Sequence, residues 1–391
     1  MVDTSTMHAL PKGWRHVALG SVADAKPGNN KLIKGKQYSE DGPDRYPGYS
    51  ATGQDIYCAH FEYDRQGIIL SAVGARCGKC FFAESKWTAV ANTHVILPDE
   101  KLVDTKFLWY LVNDEIFWVK SGTAQPFVAV KKSFEILIPL PPLPEQRRIV
   151  SAIETQLGRL DAAVARLHAA KAKLKRYKQA VLKAAFSEGE PTRLEELCEF
   201  ITKGTTPTKD MLPANGTVPF IKVYNLTRDG SLDFTIDPTF VSPEVHNGFL
   251  ARSICYPGDV LMNIVGPPLG KISLVPDDYP EWNINQAIAR YRCKSGLRAK
   301  YLMYYLLCES TAQELMATTK ATAGQFNLTL AYCRDLKLPI VSIKQQDVIV
   351  AHLEDKLGTI DATEATLDAQ LFESTRLRQA VLKRAFEGRL V

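Results

Sequence analysis

Residues 145–186 are repeated in modified form at residues 345–386, and the matching positions are all separated by 200 residues. Shorter matches precede both stretches: GARCGK at 74–79 answers GPPLGK at 266–271, and Asn92 answers Asn285. The matched pairs in the long stretches include Gln146 and Gln346, Leu157 and Leu357, Gly158 and Gly358, and Asp161 and Asp361. A unit of about 200 residues is far longer than a solenoid repeat and can bury its own core. The chain of 391 residues is therefore a tandem duplication.

Both long stretches place apolar residues in alternating steps of three and four, the spacing of a coiled-coil seam. Lys171 and Lys178 occupy the in-phase gaps of the first seam. The net charge is +7 for residues 145–186 and −2 for residues 345–386. These opposite charges favour pairing of the two helices. For either copy alone, the alternative is an amphipathic helix that lies on a globular core. The pattern predicts an intramolecular antiparallel coiled coil.

The parts of the chain that precede the helices contain short runs rich in Ile, Val and aromatic residues, bounded by Gly, Pro and Asn. Such runs at 67–74, 218–226 and 259–266 predict strands, and residues 106–119 and 299–315 are helix candidates. We therefore expect an α+β fold with two tandem-duplicated mixed α/β domains, each followed by a long helix, in an arrangement with pseudo-twofold symmetry. The predicted segments are domains at 14–142 and 192–342 and long helices at 143–188 and 343–388.

The sequence offers little support for catalysis. The two GxxxGK strings have three residues between their glycines and lack the Ser or Thr that follows Lys in a phosphate-binding P-loop. A Gly-rich S-adenosylmethionine fingerprint and an Asn or Asp followed by Pro-Pro-aromatic are also absent. We predict that the chain is not an enzyme and holds no cofactor of its own.

Cys58, His60, Cys77 and Cys80 are possible soft ligands for a zinc ion. The second repeat has Leu and Ile where Cys77 and Cys80 stand, so the fold does not require them, and we predict no metal. The eight scattered cysteines, the absence of a signal-like start and the lack of an apolar run of roughly 18 residues favour a cytoplasmic protein with reduced thiols.

Loop-like segments combine basic residues with amides and hydroxyls, which suits contacts to DNA phosphates and base edges. The formal charge of +5 permits a polyanionic partner without demanding one. For any one of these residues a solvated loop position is the alternative. The candidate DNA-binding residues are Lys26, Asn29, Asn30, Lys31, Arg76, Lys79, Lys203, Thr205, Thr206, Lys222, Tyr224, Asn225, Lys271, Asn285 and Gln286.

The duplicated PLPEQRRIV…QAVLKAAF and KQQDVIV…RQAVLKRAF patterns resemble the specificity subunit of type I restriction-modification systems. The ITKGTTP start, the VPFIKVYNL run, the GxxxGK loops and the turn at Asn285 are similar to the target-recognition domains of that family. The resemblance covers Trp14 to Val391.

The resemblance implies that each globular domain binds one half of a bipartite, asymmetric site in double-stranded DNA, and that the helices set the spacing. Two modification (methyltransferase) subunits and the restriction (translocase/nuclease) subunits would dock on the chain, and S-adenosylmethionine, ATP and magnesium would belong to them. Gln146, Arg147, Arg148 and Gln346 are the candidate partner-binding residues. Two alternatives stay open: the recognition portion of a fused restriction-methylation enzyme, and a coiled-coil scaffold that binds no DNA.

Overall fold

The computed structural model describes residues 10–74, 76–212, 216–266, 269–317, 321–322 and 325–390. Ala75, Pro267 and Pro268, which belong to the two GxxxGK strings, lie outside the described residues. The helices are α1 (Thr105–Val112), α2 (Val130–Ser133), α3 (Leu143–Ala185), α4 (Leu194–Leu197), α5 (Pro243–Asn247), α6 (Ala299–Leu306), α7 (Glu309–Ala317), α8 (Leu330–Asp335) and α9 (Ile343–Phe386). Among these helices, none is both long and apolar enough to cross a lipid bilayer.

The chain divides into two compact units. The first consists of the chain up to Leu167 together with the chain from Ala369, and the second is His168–Asp368. Each unit therefore contains one globular domain and one segment of each long helix, α3 and α9.

The first unit contains two four-stranded sheets, in the orders β2-β9-β6-β7 and β4-β3-β8-β5, and the pairs β1-β12 and β10-β11. Its strands are β1 (Arg15–Ala18), β2 (Ala23–Pro27), β3 (Tyr46–Ser50), β4 (Gly53–Cys58), β5 (Tyr63–Asp64), β6 (Gly67–Ser71), β7 (Cys80–Ala83), β8 (Lys86–Ala89), β9 (Thr93–Pro98), β10 (Lys120–Ser121), β11 (Phe127–Val128) and β12 (Leu137–Leu140). Both faces of β6 are covered: Ile68 and Leu70 belong to the core shared with α1 and the long helices, and Ile69 faces a second core around Trp87. This two-sided burial explains the continuous apolar run of β6.

The second unit repeats this organisation, with sheets in the orders β14-β21-β18-β19 and β16-β15-β20-β17 and the pairs β13-β24 and β22-β23. Its strands are β13 (Glu190–Arg193), β14 (Cys198–Lys203), β15 (Val218–Ile221), β16 (Phe240–Val241), β17 (Ile254–Cys255), β18 (Val260–Asn263), β19 (Ile272–Leu274), β20 (Trp282–Ile284), β21 (Ile288–Cys293), β22 (Ala321–Thr322), β23 (Gln325–Phe326) and β24 (Lys337–Ile340). The expected mixed α/β domains followed by long helices are thus present.

The helix segments pack antiparallel within each unit. In the second unit Lys171 Nζ lies 2.6 Å from Asp368 Oδ1, and Lys178 Nζ lies 2.7 Å from Asp361 Oδ1, so a step of seven along α3 corresponds to a step of seven backward along α9. In the first unit Arg378 forms an ion pair with Asp161. The lysines that interrupt the seam in the sequence therefore carry interhelical ion pairs.

Several elements are shorter than the sequence pattern predicts, and strands β6 and β18 already end at Ser71 and Asn263. Helix α1 ends at Val112 rather than near residue 119, and the candidate at 299–315 is broken into α6 and α7. Strand β15 ends at Ile221, because the next residues form a tight turn that the side chain of Asn225 caps by accepting from Lys222 N at 2.9 Å. Local propensity does not register these tertiary interruptions.

Candidate nucleic-acid interface

Two parallel strands of the second unit end at the same edge of their sheet. Strands β15 and β20 pair parallel, with Ile221 beside Ile284. The next residues, Lys222 and Asn285, therefore emerge side by side, and Asn285 N donates to Ile221 O at 3.1 Å. Parallel pairing brings together two segments that are far apart in the sequence.

The ITKGTTP segment joins this edge through main-chain contacts. Thr205 N donates to Ile284 O at 3.2 Å, and Thr206 Oγ1 accepts from Gln286 N at 3.3 Å. Gly204 makes this approach possible, since a Cβ there would lie 2.1 Å from Ile284 O. The glycine is therefore required by a close backbone contact.

Lys271 and the turn after β15 complete the cluster. Lys271 Nζ donates to Val223 O at 3.3 Å, which places the ammonium group against the turn. Tyr224 OH donates to Asp237 Oδ2 at 2.7 Å, and Lys222 Nζ lies 3.9 Å from the same oxygen. The cluster thus combines cations, hydroxyls and amides, and the carboxylate of Asp237 contacts two of its members.

We call this cluster the second recognition edge. Its members are Lys203, Thr205, Thr206, Lys222, Tyr224, Lys271, Asn285 and Gln286. Of these residues, Thr206, Gln286 and Lys203 are exposed, and the others are partly buried.

Asn225 does not belong to it. Its side chain is 1% exposed, and Nδ2 donates to Asp233 O and Ile236 O at 3.1 and 2.8 Å. All of these contacts lie within the turn and its continuation. The structure therefore corrects the sequence prediction: Asn225 shapes the turn that presents Lys222 and Tyr224, and no part of its amide is free to meet DNA.

The first unit forms an equivalent edge, the first recognition edge. Strands β3 and β8 pair parallel, Val90 N donates to Tyr49 O at 2.9 Å, and Asn29 N donates to Ala89 O at 2.8 Å. Asn29 and Asn30 therefore stand where the second unit has Thr205 and Thr206. Lys79 O accepts from Ser71 N at 2.8 Å, as Lys271 O accepts from Asn263 N at 3.1 Å.

The other first-unit candidates lie around this edge. Lys26, Lys31 and Arg76 are exposed, and Lys79 Nζ lies 5.8 Å from the centre of the Phe81 ring. The Asn29 side chain is held locally, since its Nδ2 donates to Glu62 and its Oδ1 accepts from Lys31 N. Asn30 is therefore the better exposed of the two asparagines.

Sequence reasoning missed a polar network beside the first edge. Ser50 follows Tyr49 as Lys222 follows Ile221, and its Oγ donates to Asp55 Oδ1 at 2.8 Å. Lys34 Nζ also reaches Asp55, at 2.5 Å, and Thr52 donates to it. Burial alone would raise the pKa of Asp55, but hydrogen bonds from Lys34, Thr52 and Ser50 lower it below its ordinary value. No spacing rule connects these residues, because a tight turn and a distant loop bring them together.

A second missed residue is Arg252, which is exposed and donates from Nε to Thr205 Oγ1 at 3.1 Å. Ser253 Oγ lies 3.0 Å from the same hydroxyl. The sequence separates Arg252 from Thr205 by 47 residues, so only the tertiary structure reveals the pair.

The candidate partner-binding residues fall into two groups. Arg147 and Arg148 are exposed in the second turn of α3. Gln146 and Gln346 are 0% exposed. The Gln146 side chain accepts from Asp104 N at 2.8 Å and donates to Leu102 O and Pro141 O, and Gln346 makes the matching contacts with Arg298 N, Gly296 O and Val341 O. The structure corrects the prediction for the glutamines, which fasten each long helix to its own domain.

The cysteines are free thiols, and among the described residues no group of three or more His, Cys, Asp or Glu side chains is arranged as metal ligands would be. Burial raises the pKa of the Cys80 thiol, because its thiolate would be desolvated. The Cys80 thiol instead contacts Val112 O within the core.

Comparison with known proteins identifies similar sequences along most of the chain. The family model described as the type I restriction modification DNA specificity domain matches residues 11–172 and 187–371, one match for each repeat. The Escherichia coli type I restriction enzyme EcoBI specificity subunit is 27% identical over 286 residues, a match that covers 66% of this chain and 59% of that protein. The EcoDI specificity subunit of Escherichia coli is 27% identical over 420 residues, covering 97% of this chain and 89% of that protein.

Solved structures show the same fold. A chain from a structure that addresses complex assembly and conformational transition of the type I R-M system has a TM-score of 0.77 at 21% identity, with 98% of this chain and 100% of that chain covered. The HsdS subunit from Thermoanaerobacter tengcongensis has a TM-score of 0.56 at 22% identity, with coverages of 99% and 100%.

Proposed function

The chain belongs to the type I restriction-modification DNA specificity family, and we propose that it recognises a bipartite, asymmetric DNA sequence, with one half read by each globular domain. The observation that carries this proposal is the recurrence of the recognition edge. Both units build it from the same main-chain hydrogen bonds, yet they place different side chains on it.

The chemistry of the edges suits a DNA groove. Exposed amides and hydroxyls such as Asn30, Thr206 and Gln286 can donate to and accept from base edges, and lysines such as Lys271 can contact phosphates. Because the two edges carry different side chains, their half-sites are expected to differ, which makes the combined site asymmetric.

We assign the recognition domains to residues 14–142 and 192–342 and the spacing helices to residues 143–188 and 343–388. The exposed Arg147 and Arg148 are the proposed contacts for modification subunits, and restriction subunits would join the same assembly. S-adenosylmethionine, ATP and magnesium would act in those partners. Cellular DNA as the ligand implies a cytoplasmic location.

The direct test is to express the chain with the modification subunit of its own system in a host without that system, and to sequence the methylated adenines. We expect one motif made of two different half-sites and a spacer of constant length. Omission of this chain should abolish the motif. A contiguous motif, or methylation that does not depend on the chain, would contradict the proposal.

A separate experiment tests whether the long helices set the spacing between the half-sites. Insertion of seven residues after Leu167 and after Leu367 preserves both seams and lengthens each helix by roughly 10 Å. We expect the spacer to lengthen while both half-sites stay unchanged. An unaltered spacer in a folded variant would show that the helices do not set it.

A further inference from the structure

Two arginines on one face of β21 lie between the sheets of the second unit. Arg290 is 5% exposed, and its guanidinium carbon is 4.5 Å from the centre of the Phe200 ring. Arg292 lies 4.8 Å from the same ring and donates through Nε and Nη2 to Asp259 at 2.9 and 2.7 Å. Asp259 is itself 3% exposed. Both of its oxygens accept from Arg292, and Oδ2 also accepts from Tyr256 N at 2.9 Å.

The guanidinium group of Arg290 has few hydrogen-bond partners. Its Nη2 reaches Thr202 Oγ1 and Arg252 O, each at 3.4 Å, and its Nε has no hydrogen-bond partner within the described part of the chain. Burial lowers the pKa of Arg290 because the charged guanidinium is desolvated. Buried cations are normally paired and fully hydrogen-bonded, so this arginine is costly unless something completes it.

The fold does not require an arginine at this position. In the first unit the equivalent residue of β9 is Val95, which faces Lys26 of β2 as Arg290 faces Thr202 of β14. Val95 is 0% exposed and belongs to an apolar core with Trp87 and Ile69. The first unit therefore fills the same space with a side chain that has no polar group to satisfy.

Arg290 lies directly behind the second recognition edge. Its contact with the carbonyl of Arg252 places it beneath an exposed arginine whose own Nε donates to the hydroxyl of Thr205. Arg290 thus contacts the main chain of the residue whose guanidinium contacts Thr205. The one buried carboxylate among the described residues of this cluster, Asp259, is already bound by Arg292. An anion at this position would supply the missing acceptor.

We propose that Arg252, Arg290 and Thr205 form a binding site for one phosphate group of the DNA backbone. The proposal rests on the proposed function and adds a specific anchoring point that the second domain has and the first lacks. A phosphate oxygen takes the place of Thr205 as the acceptor for Arg252 and provides the acceptor that Arg290 is missing. Charge-assisted contacts of this kind are stronger than neutral hydrogen bonds.

The test measures binding of the full chain to a duplex that contains its methylation motif, by fluorescence anisotropy over a range of salt concentrations. The variants are Arg252→Met, Arg290→Met and the double variant. We expect each single variant to bind about tenfold more weakly and to lower the salt slope by about one unit. The double variant should lose little more than either single variant, because both side chains serve one phosphate.

The matched control is Arg376→Met, which removes one exposed arginine that pairs with Glu373 on α9. It should retain the original salt slope. An Arg290→Met variant that keeps the original slope, or a double variant whose slope falls by twice the single change, would overturn the proposal. If Arg290→Met does not fold, the stability expected below is contradicted and the role given to Arg290 is overturned, whereas an unchanged slope in Arg252→Met overturns the role given to Arg252. Failure of the unaltered chain to bind DNA would instead reject the proposed function.

Measurements of thermal stability distinguish a site that binds DNA phosphate from a site that binds free phosphate or has only a structural role. Because Arg290→Met removes an unsatisfied buried cation, its melting temperature should equal or exceed that of the unaltered chain. A sharp fall in melting temperature with unchanged DNA binding would indicate a purely structural role and overturn the proposal. Inorganic phosphate and chloride are compared at equal ionic strength for their effect on the stability of the unaltered chain. If phosphate stabilises the chain more, and the variants keep the original salt slope for DNA binding, the site binds free anions. The proposed contact with DNA is then wrong.

Discussion

The two recognition edges have the same backbone and different side chains. Gly28 N donates to Thr93 O at 2.9 Å in the first edge, and Gly204 N donates to Ile288 O at 3.1 Å in the second. At the ends of the parallel strands, however, the first edge has Ser50 and Val90 where the second has Lys222 and Asn285. Main-chain hydrogen bonds maintain the edge, so its side chains are free to differ.

The edges also differ in the segment that comes after the first parallel strand. In the first unit β3 turns directly into β4, whereas residues 222–239 separate β15 from β16 in the second. The inserted segment carries Tyr224 and Asp237 to the second edge. An insertion at this point changes the side chains that lie at the edge without altering the sheet order, which is the same in both units.

The largest effect is expected from the glycine that each edge needs. In Gly204→Val the added Cβ would overlap Ile284 O, and in Gly28→Val it would lie 2.4 Å from Val90 O. Each variant should lower the free energy of unfolding of its own domain by at least about 3 kcal/mol, measured by urea denaturation. Gly158→Ala is the matched control: nothing lies within 4 Å of its Cβ, so the helix should be unchanged or slightly more stable. Equal stability of the edge variants and the control would contradict the close approach.

The second largest effect on stability is expected from the buried glutamines, and it should be similar in the two units. Gln146→Ala and Gln346→Ala each leave a buried main-chain donor and two carbonyls without partners. We expect losses of roughly 2–4 kcal/mol in the free energy of unfolding. Gln345→Ala, which removes an exposed contact with Ser342, should cost less than about 1 kcal/mol. A large loss for one buried glutamine alone would show that the helix starts are not equivalent.

The side chains of the edges should affect sequence preference more than stability. Replacement of both Thr206 and Gln286 by Ala should relax one half-site, and replacement of Asn30 by Ala should relax the other. A discrimination loss of about 1–3 kcal/mol per base is expected if a base edge is contacted. Methylated-adenine sequencing measures both changes. If either set altered both half-sites, the assignment of one half-site to each domain would be wrong.

The interhelical ion pairs should have the smallest effect. Lys178→Ala in the second unit and Arg378→Ala in the first each remove an exposed pair, with Asp361 and Asp161 respectively. Each loss should be about 0.5 kcal/mol and should shrink at high salt, because exposed pairs are screened. Thermal unfolding at low and high salt measures this difference. A loss above roughly 2 kcal/mol that does not respond to salt would show that packing, rather than charge, accounts for the contact.

Sequence comparison of the repeats is wrong where insertions change the register. The sequence pattern pairs Asn92 with Asn285, but the residue that occupies the Asn285 position is Val90, since each donates to the end of the neighbouring parallel strand. Asn92 instead corresponds to Ala287, because their carbonyls accept from Ala72 and Ile264. The pairing of Lys79 with Lys271 is correct. Similar residue types a few positions apart mislead a sequence alignment, and only hydrogen-bond register resolves such cases.

The sequence by itself determined the duplication, the α+β class and the two long helices with their seams, because these depend on periodicity within continuous segments. It also singled out Thr206, Gln286 and Lys271 as polar loop residues. The tertiary structure decided that they meet at one edge, that Asn225, Gln146 and Gln346 turn inward, and that Arg252 and Arg290 stand behind that edge. Contacts between residues tens of positions apart depend on how strands pair and sheets pack, and no local pattern in the chain encodes them.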